Sequence, residues 1–299
     1  YPPGSIIKPL VLVAGVTEHV LQSDESIECT GHYFKNTKNA ARCWTYTPSS
    51  GYSTHGKLRA VEALARSCNI FFYELGIRLK FESLLNWLQL FGMSQPVAAQ
   101  LTHPDAEGSQ GHVPTFEEIQ ILIDRGALDF ETVSISIGQG ALTWSPLHAA
   151  AAYATLARGG MWRSPRLIQG KSQNVSNLHL NQEGVRLALE GMRESVTKNY
   201  GTGSNLKING KKEPTFNVEG VKIWGKTGTA EAPPYRIDNV SKTIKGGRHA
   251  WFVVLASSLG ESTPSVAIAV LVEHGGSGGL VAGPIANQIL HALASEGYF

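Results

Sequence analysis

The 299-residue chain has no apolar run of about 18 residues, so no segment reads as a membrane-spanning helix. It also lacks a basic, then apolar, then small-residue leader at its start, so any membrane anchor is expected to lie outside this sequence. Charge of one sign is missing too: 26 Lys and Arg stand against 24 Asp and Glu, dispersed along the chain, for a net charge of +2. Such a balance gives no field for steering nucleic acid or an anionic membrane, and no nucleic-acid partner is expected. There is no internal repeat and no low-complexity tract, and cysteine occurs three times. What is present is ordinary globular material, 42% hydrophobic and 17% charged, enough to bury the core of one large domain or two small ones. The opening YPPGS reads as the middle of a fold, so the chain is expected to be an excised fragment.

Apolar residues from Ile6 to Leu21 recur at helical spacing and predict one largely buried helix with Ser5 at its N-terminus. Ser23 to Gly56 is rich in Thr, Ser, Asn and Gly, shows no periodicity and reads as an irregular excursion. Helical patterns follow at Leu58 to Arg66, Ile70 to Lys80, Phe81 to Phe91, Ser145 to Arg158 and Gln182 to Val196. Then the signal changes. Gly220 to Thr229, His249 to Ser257 and Ser265 to Glu273 are rich in Val, Ile, Trp and Phe between turn residues, and predict three neighbouring antiparallel strands. A closing helix from Pro284 to Ala294 is expected to cover the sheet with Ile285, Ile289 and Leu293. The class is α+β, an antiparallel sheet flanked by helices with an all-helical subdomain, helical over roughly 5–200 and sheet over roughly 215–299.

Three short clusters carry chemistry. In GSIIKP, Ser5 and Lys8 are three residues apart at a helix start, so their side chains share a face. A serine hydroxyl needs a neighbour to take its proton, and a lysine can do so if burial or nearby positive charge lowers its pKa. Ser67-Cys68-Asn69 falls between two helical patterns, where a short loop could aim Ser67 and Asn69 into a cleft. Lys226-Thr227-Gly228-Thr229 lies on a predicted strand, with Lys226 and Gly228 on one face and Thr227 and Thr229 on the other. Each alone is commonplace: a Ser near a helix cap, a chance Ser-x-Asn, a glycine bend. The three in this order and these contexts are specific.

Together they resemble the signature of the penicillin-binding proteins and serine β-lactamases. YPPGSIIKP, SCNIFFYELG, SIGQGALTWSPLHAAAAYATLARGG, WGKTGTAE, HAWFVVLA and VAIAVLVEHGGSGG extend the resemblance, to class B, elongation-type transpeptidases, over nearly the whole chain. The resemblance implies that Ser5 is the acylated nucleophile, Lys8 its base, Ser67 a proton relay to the leaving group, Asn69 a ligand of the substrate amide, and Lys226 with Thr227 the anchor of a substrate carboxylate. Thr229 and Ser5 would supply oxyanion-hole amides beside Gly228. It implies a D,D-transpeptidase that attacks D-Ala-D-Ala stem peptides, is acylated by β-lactams, needs no catalytic cofactor, and works with a membrane glycan polymerase and other elongation proteins on the extracytoplasmic face of the inner membrane. In that family two strands of a five-stranded sheet precede the nucleophile. Here nothing does, so either the chain is trimmed or split, or those strands are expected to come from another polypeptide.

Cys29, Cys43, His55 and Cys68 are spaced 14, 12 and 13 residues apart. They could form a tetrahedral Cys3His zinc site tying the irregular stretch to the Ser67 loop, and elongation-type relatives resemble this in carrying metal ligands in that region. The alternative is a Cys29–Cys43 disulfide with Cys68 buried, which leaves Cys68 and His55 unexplained.

Several other signals are discounted. Glu82 and Asn86 match a β-lactamase deacylation pattern but read as a solvated helix pair. The strand residue Trp251 reads as core, with His249 bordering the cleft. Gly275 to Gly279 reads as a flexible connector, and the stretch from Pro233 to Arg248, with Arg236, Lys242 and Lys245, as a mobile loop. A β-lactam-hydrolysing enzyme would need a deacylating carboxylate that the sequence does not show. A β-lactam sensor domain would bind drug without turning over peptide.

Overall fold

Pro2, Pro3 and Gly4 set the first turn. Gly4 has φ +59° and packs on the Thr229 carbonyl, which leaves no room for a side chain. A 3-10 turn, Gly4–Ile7, leads into helix α1 (Lys8–Thr17), which accepts Pro9 because the first amides of a helix have no helical partner. Every residue from Lys8 to Val16 is buried, so α1 is the central helix. It ends four residues before the expected Leu21. His19 takes the left-handed conformation, and the Val20 and Leu21 amides turn back to the Gly15 carbonyl. The computed structural model describes residues 1–37, 40–96, 110–167, 174–208, 210–232, 235–236, 243–245 and 247–299.

The excursion after α1 is less irregular than its composition suggests. Strand β1 (Ser26–Cys29) pairs antiparallel with β2 (Gly56–Arg59), so Leu58 and Arg59 belong to a strand, and the helix expected from Leu58 shrinks to α2 (Ala60–Ala65). Next come α3 (Asn69–Leu79) and α4 (Phe81–Leu90), as expected except that Asn69 opens α3 instead of lying in the loop before it. Helices α5 (Phe116–Asp124) and α6 (Leu128–Ser136) were not expected, although Thr115 and Glu118 form a capping box at the start of α5. Helix α7 (Pro146–Ala157) starts on a Ser145 cap, and β3 (Met161–Arg163) pairs with β4 (Val175–Asn177). Helix α8 (Gln182–Thr197) is capped by Asn181.

Strands β5 (Asn205–Ile208) and β6 (Lys211–Pro214) form a hairpin before β7 (Val221–Glu231). In the stretch expected to be a mobile loop, β8 (Tyr235–Arg236) pairs with β9 (Thr243–Lys245); Lys242 and the rest of that stretch up to Gly246 lie outside the described residues. Strands β10 (Arg248–Ser258) and β11 (Val266–Val272) follow, and α9 (Gly283–Ser295) closes the chain. The main sheet has the order β11-β10-β7 and is antiparallel throughout, with Lys226 opposite Val253 and Gly228 opposite Trp251.

Alternation along β10 builds two cores. Trp251, Val253 and Leu255 join the helical core with α1, while Ala250, Phe252, Val254 and Ala256 join a second core beneath α9. The sheet therefore lies between the helices and α9, in the α+β class expected. The face α9 turns to the sheet differs from expectation: Gly283, Ala286 and Leu290 are buried, whereas Ile285 and Ile289 are 37% and 36% exposed. Thr215 and Phe252 fill the space at Gly283, so the start of the helix comes close because that residue is small. The glycine run is likewise packed, not a loose connector. A π-helical turn, Gly278–Ala282, sets Gly278 against the Gly228 and Trp251 carbonyls, where a side chain would collide.

Candidate active site

The N-terminal turn places Ser5 one helical turn before Lys8, whose backbone amide donates to the Ser5 carbonyl. Because Gly4 rests on the Thr229 carbonyl, the start of the helix abuts the end of β7, and Trp251 Nε1 fixes the same turn by donating to the Pro2 carbonyl at 2.9 Å. Trp251 is thus core, as expected, and His249 beside it is also buried. On the other side, α2 ends at Ala65 and α3 begins at Asn69, leaving a tight bend in which Ser67 adopts φ +53°, a region non-glycine residues rarely occupy.

Four expected site residues converge. Lys8 Nζ donates to Asn69 Oδ1 (2.7 Å), to the Ser67 carbonyl (2.9 Å) and to Ser67 Oγ (3.3 Å). From the strand side, Lys226 Nζ donates to the same Ser67 Oγ at 2.9 Å and to the Thr227 carbonyl at 3.1 Å. Both lysines are 0% exposed, and among the described residues no carboxylate pairs with either. Burial lowers Lys8 to about 8. Burial and then the neighbouring Lys8 charge push Lys226 well below the usual lysine range. A buried pair of amines with depressed pKa values around one hydroxyl can accept and pass on a proton near neutral pH, which an exposed lysine cannot.

Ser5 is adjacent but not engaged: among the described residues its Oγ has no hydrogen-bond partner. Thr227 turns to the opposite face of β7, where its Oγ1 lies 2.7 Å from Thr202 Oγ1, and Gly228 faces Ile6 and Pro3. Two residues went unassigned in the sequence. Thr202, in the Tyr200-Gly201-Thr202-Gly203 turn, joins the Ala65 carbonyl through its amide to Thr227 through its hydroxyl. Gln139, within SIGQG, donates to the Thr229 carbonyl (3.3 Å) and accepts from the Glu231 amide (3.4 Å), clasping the end of β7. The glycines around each were a usable turn signal. Glu82 and Asn86 lie exposed on α4.

Cys29, Cys43, His55 and Cys68 also come together, with their ligating atoms all within 4.8 Å of one another. The register of β1 and β2 does part of this, since Cys29 faces Gly56, the residue after His55. Cys43 Sγ lies 3.9 Å from Cys68 Sγ and 3.4 Å from His55 Nδ1, and all three cysteines are free. Burial opposes charge on the imidazole, but hydrogen bonds to Cys29 and Cys43 outweigh it and raise His55 to about 9. Hydrogen bonds from Cys29 and Cys68 lower Cys43, while Cys68 is pushed up by its bonds to Cys29 and Cys43.

A family model of the penicillin-binding protein transpeptidase domain matches residues 1–291. The chain belongs to this family. Among curated relatives it is 27% identical to the peptidoglycan D,D-transpeptidase MrdA of Haemophilus influenzae over 97% of the chain and 44% of that protein. It is 28% identical to the peptidoglycan D,D-transpeptidase PbpA of Mycobacterium tuberculosis over 98% of the chain and 55% of that protein. The chain thus spans about half the length of these relatives. Among solved structures, Pseudomonas aeruginosa PBP2 in complex with WCK 5153 matches with TM-score 0.75 and 27% identity, over 98% of this chain and 60% of that one. PBP2 of Helicobacter pylori, solved in complex with MreC, matches with TM-score 0.77 at 23% identity, over all of this chain and 50% of that one, a likeness of fold.

Proposed function

We propose that the chain carries the catalytic site of a peptidoglycan D,D-transpeptidase of the elongation type. The observation that carries the reading is the convergence of two buried lysines on Ser67 Oγ, one of which, Lys8, stands a helical turn from Ser5. Ser5 Oγ attacks the carbonyl of the penultimate D-Ala in a D-Ala-D-Ala stem peptide, forming an ester as the peptide bond breaks. Neutral Lys8 takes the hydroxyl proton. Ser67, between the two amines, passes a proton to the departing D-Ala nitrogen. The amine of a second stem peptide then attacks the ester, restores Ser5 and completes the cross-link; water in its place gives a D,D-carboxypeptidase side reaction. Asn69 orients the substrate amide, and the terminal carboxylate lies against the edge of β7, reached by Lys226 from one face and Thr227 from the other. A β-lactam follows the first half of this path and remains on Ser5. The hydrolytic alternative has less support, since no carboxylate pairs with the lysine cluster among the described residues.

The same reading puts the protein on the extracytoplasmic face of the inner membrane, beside a glycan polymerase and an elongation protein of the kind that MreC is for the Helicobacter relative solved with it. No helix among the described residues is long and apolar enough to cross a membrane.

Cys29, Cys43, His55 and Cys68 suit a structural zinc. Zinc–sulfur bonds of about 2.3 Å in a tetrahedron set sulfurs roughly 3.8 Å apart, against 3.9 Å for Cys43 and Cys68. Zinc would offset most of the charge of the thiolates and hold the loop; it is assigned no step in the reaction.

Intact-protein mass spectrometry after mixing with excess penicillin tests the reading. A persistent single adduct that vanishes in Ser5→Ala is expected. Rapid drug hydrolysis without an adduct would make the protein a lactamase instead.

A further inference from the structure

Three consecutive residues of the cysteine loop lie across the bend that carries Ser67. The Arg42 carbonyl accepts from Asn69 Nδ2 at 2.9 Å, Cys43 Sγ lies 3.9 Å from Cys68 Sγ, and Trp44 Nε1 donates to the Arg66 carbonyl at 3.0 Å. The two segments run in opposite directions, and the contacts skip only Ser67, whose own carbonyl receives Lys8 Nζ. Asn69 and Cys68 belong to the groups already described; Trp44 does not. It is 54% exposed, leans on the His55 ring with centroids 5.8 Å apart, and contributes little to the core.

The bond that Trp44 makes has a mechanical meaning. Ser67 sits at φ +53°, and its hydroxyl reaches both lysines from that conformation. Relaxing to the negative φ that a serine prefers requires turning the peptide plane between Arg66 and Ser67. The carbonyl of that plane is the one the indole N–H holds. We propose that Trp44 is a positioning residue of the reaction: its indole N–H latches the Arg66–Ser67 peptide and keeps Ser67 Oγ between Lys8 and Lys226. The inference rests on the proposed role of Ser67.

The test is the acylation rate of the intact protein by a fluorescent penicillin at saturating drug, with the half-saturating concentration measured alongside. Loss of one hydrogen bond predicts that Trp44→Phe slows acylation roughly two- to tenfold with half-saturation unchanged. In a Ser67→Ala background the same substitution should cost nothing further, because it acts through Ser67. A merely structural role would give the same loss in both backgrounds, and that result overturns the proposal, as does a Trp44→Phe protein that acylates like the parent. If Trp44→Phe does not fold, replacing Trp44 by its benzothiophene isostere, which keeps both rings and lacks the N–H, asks the same question: the same loss supports the latch and full activity overturns it. Were Ser67→Ala itself to acylate normally, the functional reading of Ser67 would fail and this inference with it. A crippled Ser67→Ala beside an unaffected Trp44 variant would sink the latch alone.

Discussion

The two walls of the cleft are built by different physics. The strand wall, β7, is paired along its whole length with β10, and every β10 residue from His249 to Ser257 is buried, in a sheet with a hydrophobic core on each face. The opposite wall borrows from the loop between β1 and β2, whose buried anchor is three thiols and an imidazole, and whose large side chains Trp44 and Tyr52 face solvent. One wall is held by area removed from water on both faces, the other by a few polar contacts added to the partial burial of Tyr33, Phe34 and Tyr46. Lys226 comes from the first, and Ser67 is positioned by the second, so the site depends on two kinds of stability at once.

That contrast can be broken most forcefully from the strand side. Phe252 is fully buried and packs against Phe216 beneath α9. Phe252→Ala should cost about 3–5 kcal/mol of global stability, read from denaturant unfolding, with no preferential loosening of the cysteine loop. Removing metal from the purified protein should do the reverse. At hundredfold saturation a bound ion stabilises by roughly 2.7 kcal/mol, and its loss should appear as faster hydrogen exchange over residues 30–55 and slower acylation while β7 and β10 stay protected. A protein that holds no zinc and loses nothing to chelator would refute the metal assignment.

A third prediction concerns protons. In the proposed reaction Lys8 acts as base only when neutral, and burial has brought its pKa down to about 8. The neutral fraction therefore rises with pH, and acylation should increase about tenfold per unit below that value and level off above it. A flat profile between pH 6 and 8 would remove Lys8 from the role. The smallest effect belongs to Thr202, which braces Thr227 from behind. Thr202→Val should weaken capture of a carboxylate-bearing substrate by about 1 kcal/mol, raising KM for a D-Ala-D-Ala peptide and leaving kcat nearly unchanged.

The same contrast governs what could be read from the sequence. Strands β7, β10 and β11 and helices α3, α4, α7 and α8 were legible because periodicity, caps and turn residues are local signals. The Thr115–Glu118 capping box at the start of α5 is an equally local signal. Two features were beyond local signals. The side of α9 that meets the sheet is decided by Phe252, thirty-one residues before Gly283, so the larger Ile285 and Ile289 looked like the buried stripe and are not. The contacts of residues 42–44 with 66–69 are pairings of loop with loop, which no periodicity encodes. Cysteine spacing brings Cys29, Cys43, His55 and Cys68 into one hypothesis, but their meeting depends on the β1–β2 pairing, and the second half of β2, Leu58 and Arg59, reads as helix.

That pairing carries a consequence of its own. Successive strand residues point to opposite faces, and in β1 Cys29 is the buried one beside exposed Glu28. A hairpin formed one residue out of step would turn Cys29 outward and leave Cys43, His55 and Cys68 a donor short. The cluster therefore proofreads the folding of the hairpin: its fourth contact closes only when Cys29 stands opposite Gly56, and a misaligned chain forfeits it.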